Sequence, residues 1–169
     1  ITFLQNITGL WFLQRLMAEW ADEGDEQQYE PLLAAAERAE IQTVIPVDAP
    51  EFQNPKSMQQ AIRGYCERQA LDVPQTKADL TRVVLQSLAA KYAEATQALN
   101  AMLPEPIKKL HIIGGGSQNK LLNRLTQQAL GIPVEAGPVE ATAIGNILTQ
   151  ALAKGEVADI HEMRSIAIL

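Results

Sequence analysis

Three glycines in a row, Gly114, Gly115 and Gly116, separate an apolar run from an amphipathic one in "HIIGGGSQNKLLNRL", residues 111–125. Glycine runs cost conformational entropy, so bare backbone there serves either a tight turn or a ligand that must come close. The second use fits a nucleotide. Glycines remove the side chains that would hold a phosphate or ribose away, and the helix that follows offers free N–H groups and a partial positive end. Ser117 stands where that helix would take its N-cap. Leu121, Leu122, Leu125 and Ala129 give the helix an expected buried face.

Two well-defined nucleotide motifs fit poorly. A P-loop needs a lysine and then Ser or Thr directly after its last glycine, whereas Lys120 comes four residues after Gly116 and is followed by Leu121. The dinucleotide fingerprint G-x-G-x-x-G is met only by Gly114 and Gly116, with Asn119 in the third glycine's place and Glu135 as the downstream acid. A helix-rich first half is also a poor start for a Rossmann domain.

Composition narrows the partners. The 169 residues carry a net charge of −6, against the basic surface that a nucleic acid or an anionic membrane requires. Backbone N–H groups can still hold a phosphate. Cys66 is alone, so neither an intrachain disulfide nor a cysteine metal cluster is possible, and His111 and His161 lie too far apart in sequence to suggest a zinc site. No metal ligand set is expected. No apolar run approaches the ~18 residues of a membrane span. No signal peptide is visible, and a cytoplasmic protein is expected. The first residue is Ile1 and the opening pattern has no lead-in, so the expectation is a piece of a longer protein.

The elements that must position these residues are mostly helical at first. Leu10, Leu13, Met17 and Trp20 recur at helical spacing, with Asn6 or Thr8 as a candidate cap and Gly24 past the end. A second helix is expected over "EQQYEPLLAAAERAE", with Pro31 near its first turn. "ADEGDEQQYE" before it reads as a solvated acidic stretch. "IQTVIPVDAPEF" should be a short strand and a loop. A third helix is expected from Pro55, ending before Pro74. The longest follows, with Leu80, Val84, Leu88, Tyr92, Ala95 and Leu99 as one continuous stripe. A strand, helix, strand and final helix complete the chain, with Glu140 a candidate cap of the last. Two or three short strands make a poor sheet alone, so the sheet is expected to be incomplete. Apolar faces should then be exposed, with self-association unless a partner covers them. Trp11 and Trp20 are expected in the core, His111 in a structural role and Cys66 inert.

Three stretches, "NITGLWFLQRL", "HIIGGGSQNKLLN" and "GIPVEAGPVEATAIGNI", together resemble the FGGY carbohydrate kinases, in the family's order and across nearly the whole chain. The resemblance implies an α/β fold of the ribonuclease H-like (actin-like ATPase) type, helix-rich here with an incomplete sheet. Residues 1–169 would be most of the C-terminal nucleotide-binding domain, with the N-terminal sugar-binding domain absent. It implies ATP and Mg²⁺, and transfer of a phosphoryl group to the 1-hydroxyl of L-rhamnulose. Fuculose, xylulose or another polyol, or a non-catalytic nucleotide-binding module of the same fold, are the alternatives. By the same resemblance Asn6 contacts the sugar and Gln14 the ATP, with Gly114, Gly115 and Gly116 against the nucleotide and Gly115 the nearest match. Ser117 and Asn119 would contact ATP or cap the helix. Read without it, Asn6 would cap a helix and Gln14 would be a solvated helix residue. Eight residues of helix would separate the two by roughly 12 Å, enough to join a sugar site to a nucleotide site. In such kinases the catalytic aspartate lies in the N-terminal part and a Gly-Thr-rich phosphate loop lies just before the "NITGLW" helix; neither is in this chain, so no residue here is assigned as the base.

Overall fold

The computed structural model describes residues 6–167. Helix α1 (Trp11–Asp22) buries Phe12, Leu13, Leu16 and Trp20 along one face. Trp20 is fully enclosed, as expected, but Trp11 is 38% exposed, with its ring perpendicular to that of Phe12. Helix α1 begins later than the sequence suggests. Its N-cap is Leu10, with no side-chain cap, and Asn6 lies in non-helical chain before it. The packing of Leu10 on the core sets the helix start in place of a polar cap.

Helix α2 (Tyr29–Arg38) has Pro31 in its first turn and buries Leu32, Leu33 and Ala36. Helix α3 (Met58–Arg68) starts at Ser57, whose hydroxyl accepts from the Gln60 N–H. The Glu19 carboxylate reaches across from α1 and accepts from the Met58 N–H and the Ser57 hydroxyl, so one helix completes the other's cap. Cys66 is buried within α3, and burial pushes its thiol up, which makes the thiolate scarce and the group unreactive.

Helix α4 (Lys77–Asn100) opens with a capping box: Thr76 Oγ1 accepts from the Asp79 N–H at 3.0 Å, and Asp79 accepts from the Thr76 N–H at 2.9 Å. The expected stripe is buried at Leu80, Val84 and Leu88, but burial extends beyond it. The first half of α4 is buried all round, including Thr81, Val83, Leu85, Gln86 and Ser87. It packs against α1, α2 and α5 at once, so it forms the axis of the body.

The segment expected as a strand pairs with no other strand among the described residues. Polar side chains of α4 satisfy its backbone instead. Ser87 Oγ accepts from the Ile45 N–H at 2.9 Å, and the Gln86 amide donates to the Thr43 carbonyl. The Thr43 hydroxyl donates to the Asp72 carbonyl at 2.7 Å. A single 3₁₀ turn, Pro50–Phe52, then plants Phe52 in the core.

After α4 the chain forms a β-α-β unit. Strands β1 (Leu110–Ile112) and β2 (Val134–Ala136) are parallel and in register, Leu110 opposite Val134 and Ile112 opposite Ala136. Helix α5 (Lys120–Leu130) connects them and buries Leu121, Leu122, Leu125 and Thr126. Ala129, expected on that face, is exposed: Thr126 follows Leu122 on the buried side, and the last turn lies in solvent. Helix α6 (Ala141–Lys154) starts at Glu140, which makes no side-chain cap bond, contrary to expectation. A further helix not expected from the sequence, α7 (Ile160–Ala167), packs back on α6. The described part of the chain is thus helix-rich, with one small two-stranded parallel sheet. No described helix is long and apolar enough to cross a membrane.

Candidate functional site

The glycine run lies at the C-terminal end of β1, where parallel sheets place their ligands. Gly114 has φ +79° and ψ −169°, a conformation open only to glycine, and it turns the chain out of the strand. A 3₁₀ turn, Gly115–Gln118, follows and leads into α5. The Gly114 N–H donates to the Pro138 carbonyl at 3.2 Å, and the Gly137 N–H donates to the Ile112 carbonyl at 2.7 Å. A side chain at Gly137 would clash with Ile113 at 2.9 Å, so the loops leaving the two strands must press together here.

Two side chains assigned to this turn from the sequence work inside it. Ser117 is not the cap of α5: its hydroxyl donates to the Gly114 carbonyl at 2.8 Å and braces the turn. Asn119 is the cap, its Oδ1 accepting from the Leu122 N–H at 2.9 Å. Its amide N–H donates to Tyr29 Oη at 3.0 Å, so a side chain 1% exposed has both ends occupied. The Asn123 amide donates to the Ser117 carbonyl at 2.8 Å and closes the network.

In front of the turn is a cleft of about 470 Å³. Helix α1 supplies Leu13, Gln14 and Met17, the turn supplies Gly115 and Gly116, and the start of α2 supplies Tyr29 and Glu30. Gln14 and Gly115, about a hundred positions apart in sequence, therefore face one space. Gln14 is exposed and no hydrogen bond holds its amide among the described residues. A side chain at Gly115 or Gly116 would meet open space within 4 Å, so the cleft reaches bare backbone. Gly114 lies behind the cleft as the pivot, and Asn6 does not line it. Because α1 begins at Trp11, Asn6 and Gln14 do not share one helical rod.

Tyr29 was not singled out from the sequence, nor was Glu30; both close the stretch read as solvated. Tyr29 is half-buried, and burial pushes its phenol up, with Asn119 partly opposing and Glu30 adding to the rise. It stays protonated at neutral pH.

Glu135, weighed as a ribose ligand, is occupied on the sheet. Lys109 Nζ lies 2.6 Å from its carboxylate and His111 Nδ1 3.6 Å away, and Lys109 holds the carboxyl below its ordinary range. His111 is exposed and faces Glu135 across the ladder. A second groove, between the end of α4 and β1, is mainly apolar, lined by Tyr92, Leu99, Leu110 and Ile112, and also reaches His111 and Gly116. Among the described residues, no group of three or more His, Cys, Asp or Glu side chains could hold a metal.

These features set an exposed amide and a turn of bare glycine backbone on one cleft of a helix-rich domain. The C-terminal domain of the FGGY family of carbohydrate kinases matches residues 1–154, and the chain belongs to that family. Its relatives include proteins named rhamnulokinase. That of Bacteroides thetaiotaomicron is 43% identical over 98% of this chain and 34% of its own length. That of Pectobacterium carotovorum is 43% identical over 95% of this chain and 32% of its own length. That of Bacillus subtilis is 38% identical over 98% of this chain and 34% of its own length. The chain spans about a third of the length of the curated relatives it matches.

Proposed function

We propose that this chain is most of the C-terminal, nucleotide-binding domain of a rhamnulokinase with a ribonuclease H-like fold. The parent enzyme transfers the γ-phosphoryl group of MgATP to the 1-hydroxyl of L-rhamnulose in the cytoplasm. The observation that carries this reading is the meeting of Gln14 with the bare backbone of Gly115 and Gly116 in one cleft, in a chain whose relatives are named rhamnulokinases. Gln14 would hydrogen-bond the nucleotide, and Gly115 and Gly116 would let it lie against main chain. Gly114 shapes that turn, and Ser117 and Asn119 hold it from behind. Asn6 would reach the sugar from the segment before α1.

Phosphoryl transfer depends on positioning and on neutralising charge over the transferred group. Mg²⁺ would arrive on the ATP phosphates, as this cation usually does. The base that accepts the hydroxyl proton belongs to the rest of the parent chain. Closure of the two domains would bring sugar and nucleotide together and exclude water.

The test is ADP release by the full-length parent with MgATP and each of L-rhamnulose, L-fuculose, D-xylulose and glycerol. Turnover fastest with L-rhamnulose is expected. Preference for another sugar would overturn the substrate, and no ADP release with any would overturn the activity.

A further inference from the structure

The hydrogen bond between α2 and the cap of α5 has a fixed direction. Asn119 Oδ1 must be the oxygen, because it accepts from the Leu122 backbone N–H at 2.9 Å. The other end of the side chain is then the amide nitrogen, which can only donate. Tyr29 Oη, 3.0 Å away, must accept from it. The phenol's own proton therefore points elsewhere, and among the described residues it has no acceptor. Tyr29 lines the cleft.

The same cleft has a definite chemical character. Leu13, Met17 and the Tyr29 ring give it apolar walls, Gln14 adds an amide and Glu30 a carboxylate, and among the described residues no lysine or arginine lines it. The Glu30 carboxylate makes its side of the cleft unfavourable for phosphates, while Lys120, which lines the adjoining groove with Glu30, lies outside the cleft. A flat, polar-edged base with its ribose suits these walls, and the triphosphate must leave the cleft towards the glycine backbone.

We propose that Tyr29 is a nucleotide-binding residue whose hydroxyl donates a hydrogen bond to an acceptor on the base or ribose of ATP, and that Asn119 is the positioning residue that aims it. This rests on the reading of the cleft as the ATP site. Asn119 holds the tyrosine as an acceptor on one side so that its proton is presented on the other. The α5 cap and ligand recognition are thus two ends of one side chain.

The experiment is ATP titration of the full-length parent chain by calorimetry, beside steady-state KM values for ATP and L-rhamnulose. Tyr29→Phe removes the donor and keeps the ring. Asn119→Asp keeps the cap, since a carboxylate oxygen still accepts from Leu122, but its second oxygen captures the Tyr29 proton. Each variant is expected to raise the Kd for ATP roughly three- to tenfold, the range of one neutral hydrogen bond, and the double variant no further. The KM for sugar should stay within about twofold in both, a split that general loosening of the fold would not produce. An ATP Kd unchanged in Tyr29→Phe overturns the proposal. So does a rise in Tyr29→Phe with none in Asn119→Asp, or an equal rise in the sugar KM. The titration needs no turnover, so an inactive parent that still binds ATP would sink the proposed activity and leave this inference to be judged by Kd alone.

Discussion

The helical body and the C-terminal hairpin of α6 and α7 obey the same rules and come out differently. In the body, Phe12, Trp20, Phe52, Met58 and Leu80 are all at most 1% exposed, in one continuous core around α4. In the hairpin, α6 is rich in Ala, Ile and Leu, yet only Leu148 is buried, and α7 buries nothing. Ile147 stands 65% exposed and Ile160 53%. Hydrophobic composition alone does not make a core: a helix is stabilised only by what lies against its apolar face. The cleft proposed for ATP falls between these regimes. Its α1 wall is anchored in the dense core and its glycine wall stands on the small sheet.

That contrast can be broken by substitution. Trp20→Ala should be the most damaging change, destabilising by about 3–5 kcal/mol because a large enclosed side chain leaves a cavity. Denaturant unfolding measures it, and a cost near that of a surface change would dissolve the distinction. Gly114→Ala should cost about 1–3 kcal/mol, since φ +79° with ψ −169° is closed to alanine. The same unfolding experiment reads it, and the loss should come with weaker ATP binding. Ile147→Ala on α6 should change stability by less than about 0.5 kcal/mol, because little is buried to lose. Amide exchange sharpens the comparison further. The buried first half of α4 should exchange only through global unfolding, and α7 through small local openings. Equal protection of the two would mean that the hairpin shares the core.

Local signals were readable and distant ones were not. The Thr76–Asp79 capping box and Gly131, the left-handed C-cap of α5 at φ +68°, are written within four residues of the helices they bound, so α4 and α5 fall close to where the sequence puts them. Asn6 and Thr8 look like caps in sequence, whereas the packing of Leu10 decides where α1 starts. The segment at Thr43 to Val47 has strand-like residues, but its hydrogen-bond partners are side chains forty positions away on α4. In the site, the glycines and Gln14 were legible through motif resemblance. Tyr29 was not, because its partner Asn119 lies 90 positions on, and nothing in an acidic stretch announces a half-buried phenol. The cap of α5 falls at Asn119 and not at Ser117 because the 3₁₀ turn shifts the helix start by two residues.

The central claim is that bare backbone at Gly115 forms one wall of the ATP cleft and α1 the other. Gly115→Val tests it cleanly, because a side chain there meets nothing within 4 Å and the position needs no positive φ. The fold should tolerate the change, with the melting temperature of the full-length parent nearly unaltered. The account predicts that the Kd for ATP, measured by titration of that parent, rises at least about tenfold as the valine fills the space, equivalent to about 1.4 kcal/mol. An unchanged Kd in a folded variant would contradict it and move the nucleotide to another part of the molecule.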